Sequence, residues 1–152
     1  MSVEAAGPQE AGRENAVGQL SLAARDALFR ALFENCLDGI AVAEVATLRL
    51  LLCNQRFSMM MGIPAAEIVR LRAKDLHPAG TVVSVMEAFG RLADGQVVAT
   101  DIPMRRRDGS IFYCDAGASP FILDGVPCVA GLFRDVTRNH QDREALRDSR
   151  AL

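Results

Sequence analysis

Two histidines, four cysteines, three consecutive arginines and an Asp-x-Thr triplet are the side chains of this 152-residue chain with the most obvious chemical potential. His77 offers an imidazole, the usual axial donor to haem iron. His140 lies in a charged stretch and reads as solvated. Cys36, Cys53, Cys114 and Cys128 are widely spaced, with no Cys-x-x-Cys pair, so neither a metal site nor a redox pair is expected. No Ser/His/Asp set, carboxylate pair, phosphate-cradling glycine loop or metal cluster can be recognised. The chain therefore reads as non-catalytic.

These residues are held by elements that the pattern makes legible. Asp101–Arg107 and Ser110–Leu123 read as strands joined at Asp108–Gly109, and Val126–Asp135 follows a second turn at Asp124–Gly125. Asp-Gly between strand-like runs is a strong hairpin signal, because a type I′ turn needs positive φ at both central positions. The two turns predict a three-stranded antiparallel meander. If Asp124–Gly125 is a two-residue loop, Cys128 faces Phe121 and Cys114 faces Asp135. The two cysteines are then roughly 23 Å apart along the ladder, far beyond disulfide reach. All four cysteines read as small apolar fillers.

Upstream, Leu37–Val45 and Leu48–Cys53 read as two short strands turning near Ala46–Thr47. Asn54 can cap a helix through Phe57 to Met61, Gly62 stops it, and Pro64 starts another. Leu76–His77–Pro78 is a break, since a residue before proline avoids the α region. A longer helix is predicted over Val82–Leu92, with Val82, Val85, Met86 and Phe89 on one face and Asp94–Gly95 at its end. Residues 1–15 lack periodicity and read as disordered. Residues 16–33 carry an apolar helical stripe of Val17, Leu20, Ala24, Ala27, Leu28 and Ala31. The stripe reads equally as a homodimerising face or as a cap over its own domain. Residues 138–152 are charged and helical, the start of a linker helix. The order of elements is α+β, with helices gathered on one face of an antiparallel sheet.

Half of the residues are apolar, 24% are charged, and the formal net charge is −2. That balance provides no electrostatic reason to expect nucleic acid as a partner. No run approaches a membrane span, and the first residues lack the basic and apolar regions of a secretory signal. A cytoplasmic location is expected.

The chain resembles a PAS domain of the bacterial sensory type over roughly Leu28 to Arg138. The resemblance rests on six stretches in order: Phe33–Ile40 with its Asp38–Gly39–Ile40; Asn54–Gln55–Arg56–Phe57 followed by Met61–Gly62; Leu76–His77–Pro78; Arg107–Ser110; Ser119–Pro120; and Arg134–Asp135–Val136–Thr137. It implies a five-stranded antiparallel sheet over residues 34–137, with Asp101–Arg107 at an edge. Pro103 fits there, because an edge strand tolerates a missing N–H. On such an edge, Arg105–Arg106–Arg107 reads as a guard against edge-to-edge pairing.

The resemblance also implies function. It suggests a sensory module of a larger signal-transduction protein, such as a two-component histidine kinase or a cyclic-dinucleotide enzyme. Asp135 and Thr137 would couple the module to a C-terminal output domain. Phe112, Cys114, Ala116 and Ala118 would face a space between the sheet and the long helix. With Phe57, Met60, Met61, Val85, Met86 and Phe89 they form the expected ligand pocket. Methionine and Phe89 filling that space is the alternative; the module would then be a ligand-free dimerisation scaffold. Haem on His77 is not expected, since haem-binding members usually take their histidine from the long helix; in the loop before that helix, beside a proline, His77 reads as a solvated surface residue. A flavin–cysteine adduct needs an Asn-Cys-Arg-Phe setting, and the similar run Asn54–Phe57 has no cysteine. With no tryptophan to stack on the ring, non-covalent flavin is not expected either.

Overall fold

The computed structural model describes residues 17–93 and 98–151. The expected disordered N-terminus and the helix stop at Asp94–Gly95 lie outside these residues. The chain divides into two compact units, Met1–Asn35 and Cys36–Leu152.

In the first unit, helix α1 spans Leu22–Glu34. It starts later than the stripe predicts, because the Ser21 side chain accepts from the Ala24 N–H at 3.1 Å and caps it. Val17 is helical too but is separated from α1 by a break over Gln19–Ser21 that includes Leu20, while Ala24, Ala27, Leu28 and Ala31 lie within α1. Phe29 and Phe33, one turn apart on α1, stack with ring centroids 4.9 Å apart.

The second unit is built on strands β1 (Gly39–Glu44), β2 (Leu50–Cys53), β3 (Ala99–Arg105), β4 (Ile111–Leu123) and β5 (Val126–Asp135). They form one antiparallel sheet in the order β2-β1-β5-β4-β3, with β5 central and β3 at an edge. Between β2 and β3 run α2 (Gln55–Met61), α3 (Ala65–Ile68), two 3₁₀ turns (Ala73–Leu76 and Ala79–Thr81) and α4 (Val82–Ala93). Helix α5 (Thr137–Ala151) follows β5.

The β4–β5 hairpin turns as its sequence dictates. Asp124 and Gly125 have φ of 48° and 80°, and Leu123 pairs with Val126. Cys128 faces Phe121 and Cys114 faces Asp135 in that register. The Asp108–Gly109 turn differs from the expected two-residue loop. β3 stops at Arg105, and only Gly109 has positive φ. The Asp108 carboxylate accepts from both the N–H and the hydroxyl of Ser110, drawing the chain into a wider local turn.

Asn54 joins the sheet to α2. Its Oδ1 accepts from the Ile40 and Phe57 N–H groups at 2.9 Å each, and its Nδ2 donates to the Asp38 carbonyl. Gly39 lies beneath this junction. A Cβ there would meet Met60 Sδ at 2.8 Å and Phe57 Cα at 3.2 Å. Glycine is thus required by close approach. Gly62, at φ 66°, closes α2 in the left-handed conformation.

The arginine run at the edge is partly engaged. Arg106 lies 4.3 Å from the Phe112 ring centroid, and Arg107 pairs with Glu67 at 2.7 Å. Nε of Arg106 and the Arg107 N–H donate to the Met60 and Met61 carbonyls, satisfying the end of α2.

Candidate functional site

Alternation along β4 sorts its side chains: Phe112, Cys114 and Ala116 are fully buried under the helices. Phe57, Met61, Val85 and Met104 join them in a filled core. Burial pushes the Cys114 thiol up to about 12, helped by Asp135 and Asp115. It is an inert filler.

Further along the same face the side chains become small, and a cavity of about 540 Å³ opens. Its floor follows from register. Ala118 faces Gly131, and Gly131 faces Ala41, so three strands contribute one row without bulk. The next row is Pro120, Val129 and Ala43, with Leu50 on β2. Met86, Phe89 and Gly90 of α4 close the opposite side. Ala73 and Leu76 of the first 3₁₀ turn, His77 just after it, and Val45, Leu48 and Phe133 complete the described wall.

Of the expected pocket residues, Met86, Phe89 and Ala118 line this cavity. Phe57, Met61, Val85, Phe112, Cys114 and Ala116 pack in the filled core beside it, and Met60 packs partly buried against that core. The small inward residues of β1 and β5 were not singled out from sequence. The detectable signal was Ala41 and Ala43 at spacing two, with Gly131 in the third late strand.

His77 is buried, at 2% exposure, where a surface position was expected. Its Nδ1 lies 2.8 Å from the Pro103 carbonyl, which anchors the loop to the sheet edge. Burial lowers its pKa below the ordinary 6.5, opposed by that hydrogen bond. The edge is thus covered by a side chain as well as guarded by charge.

At the end of β5, Asp135 accepts from the Thr137 N–H at 2.9 Å and from its hydroxyl. Thr137 is the first residue of α5 and does not itself cap the helix; Asp135 provides that carboxylate. The Thr137 hydroxyl oxygen instead accepts from the Tyr113 N–H at 3.0 Å, and the Val136 N–H donates to the Tyr113 carbonyl. The triplet therefore ties α5 to β4. His140 is partly buried where a solvated position was expected, because its ring stacks on Tyr113.

Among the described residues there is no group of three or more His, Cys, Asp or Glu side chains able to hold a metal ion. No helix among them is long and apolar enough to cross a membrane.

Comparison with known proteins agrees with this architecture. None of the curated proteins matches the chain. A PAS domain from a two-component sensor histidine kinase superposes with a TM-score of 0.64 at 10% identity, over 76% of this chain and 99% of that one. A domain of a sensory box sensor histidine kinase/response regulator from Geobacter sulfurreducens gives 0.61 at 24% identity, covering 78% and 100%. An RNA-binding light-oxygen-voltage receptor gives 0.69 at 22% identity, covering 88% of this chain and 40% of that one. At these identities the likeness is one of fold. The family model described as PAS domain matches residues 37–138, the stretch that holds all five strands, the cavity and the Asp-x-Thr exit, and the chain belongs to that family.

Proposed function

We propose that this PAS domain is a sensory module in which a small molecule occupies the cavity between sheet and α4. Occupancy changes how α5 is held and so informs an output domain beyond it. One observation carries the reading: β5 lines the cavity through Val129, Gly131 and Phe133, and two residues later Asp135 grips the start of α5. A ligand that prefers one setting of β5 would shift the population of α5 arrangements by its difference in affinity. An output domain of the histidine kinase, cyclic-dinucleotide or transcription-regulator type fits this role, in the cytoplasm. The module itself is non-catalytic on this reading, and α1, through Ala24, Ala27, Leu28 and Ala31, pairs two copies.

A ligand-free scaffold is the competing reading, favoured by the filled core around Phe57, Met61 and Phe112. The cavity is of ligand size, which supports the sensor. The test is native mass spectrometry with a library of small neutral compounds, followed by hydrogen exchange. A bound mass, together with altered exchange at Ala130–Arg143, is expected. Ala118→Leu should abolish both while the protein stays folded. No bound compound in the wild type, with α5 exchange unchanged, would leave only the scaffold.

A further inference from the structure

The described wall of the cavity has one polar side chain. Among its described lining residues, only His77 carries nitrogen or oxygen beyond the backbone. Its two ring nitrogens are placed differently. Nδ1 meets the Pro103 carbonyl at 2.8 Å, and a carbonyl only accepts, so Nδ1 bears the proton.

That carbonyl is available because of its place in the ladder. Pro103 faces Tyr113 across β3 and β4. Tyr113 directs its N–H to Thr137 and its carbonyl to Val136, both at the start of α5. The pair is therefore non-hydrogen-bonded, and Pro103 turns its carbonyl off the sheet edge. Its missing N–H loses no ladder bond, and the carbonyl orients the imidazole.

Burial lowers the pKa of His77 and keeps the ring neutral near pH 7. With Nδ1 protonated, Nε2 is a bare lone pair. Among the described residues no group bonds it. Every fully enclosed side-chain nitrogen or oxygen among the described residues has a hydrogen-bond partner, so Nε2 is not fully enclosed. The ring is 2% exposed, and it lines the cavity.

We propose that Nε2 of His77 opens on the cavity and is its recognition point, accepting a hydrogen bond from the hydroxyl of a neutral and otherwise apolar ligand. This rests on the cavity being the ligand site. Among the described lining residues no side chain offers a cation to hold a carboxylate or phosphate, so an anion would be desolvated without a counter-charge. A ligand bearing only acceptors would set lone pair against lone pair. Phenols and medium-chain alcohols have the matching chemistry: a large apolar body and one donor.

The experiment titrates the full chain by calorimetry with 4-ethylphenol and with 4-ethylanisole, its methyl ether without the donor. The phenol should bind about tenfold more tightly, as expected for one hydrogen bond in an apolar site. In His77→Phe that preference should largely disappear. Equal binding of the two by the wild type overturns the role of His77 and leaves the cavity as a ligand site. If neither binds, and no neutral apolar probe shifts the melting temperature, both readings fall.

Should His77→Phe fail to fold, nitrogen NMR of the wild type decides. The free protein should show protonated Nδ1 and bare Nε2, and the Nε2 resonance should move upfield with 4-ethylphenol but not with 4-ethylanisole. An Nε2 that does not respond, or that carries the proton beforehand, overturns the proposal. So does a haem Soret band that depends on His77, since iron would then hold the lone pair.

Discussion

The imidazole of His140 stacks on the ring of Tyr113 with centroids 3.6 Å apart and planes 16° from parallel. Three residues further along α5, Arg143 pairs with Asp101, which also lies 3.5 Å from His140. Asp101 reaches α5 from a register shift in β3, at φ 53°, with its N–H bonded to the Asp115 carboxylate. Besides β5, which grips the start of α5 through Asp135, two further strands hold its first two turns: β4 through Tyr113 and β3 through Asp101.

Asp101→Asn removes the charge and keeps a residue that tolerates positive φ. A partly exposed pair of this kind contributes about 0.2–1 kcal/mol. Amide exchange over His140–Arg147 should rise by up to roughly fivefold, with the midpoint of global unfolding almost unchanged. Unchanged exchange would show that Asp101 does not hold the helix.

Thr137→Val keeps the shape and deletes the hydroxyl. The Tyr113 N–H then has no acceptor, and the cost should be about 1–3 kcal/mol in urea unfolding. Asp135→Ala should cost about 1 kcal/mol, the usual value for losing a capping side chain. A combined loss smaller than the sum would reveal coupling through the hydroxyl contact that the two share.

Gly39→Ala puts a methyl group 3.2 Å from the α2 backbone at Phe57 Cα. The Met60 side chain can yield; the helix backbone cannot do so without disturbing the Asn54 junction. A loss of about 1–3 kcal/mol is expected in denaturant unfolding, as for other overpacked cores.

His77 makes stability depend on pH in a defined direction. Its folded pKa lies below the ordinary 6.5, so the unfolded chain binds the extra proton first. Stability is then full above about pH 6.5 and falls as the solution is acidified, by at most about 1.4 kcal/mol per pH unit for one group. Urea midpoints of wild type and His77→Phe between pH 7.5 and 5 check this. The variant should show the shallower dependence.

Local rules accounted for much of the architecture. Asp124–Gly125 set the last hairpin and its register, because few residue pairs adopt positive φ at successive positions. Asn54 and Gly62 marked the ends of α2, since a capping oxygen and a left-handed closing residue are properties of single positions. Pro103 was compatible with an edge because its N–H is absent wherever the strand lies. Asp108–Gly109 was less decisive, as the carboxylate had Ser110 to bond within its own turn.

The rest depended on which strands become neighbours. Ala118, Gly131 and Ala41 are far apart in the chain and form one row only after β4, β5 and β1 pair. The side-chain volume absent from that row is a property of the sheet, so each segment showed only part of it: Ala118 on β4, and Ala41 with Ala43 on β1. His77 and His140 were both read as solvated for the same reason. An imidazole's surroundings are set by the carbonyls and rings that other elements bring to it, here Pro103 and Tyr113, and long-range packing alone supplies those.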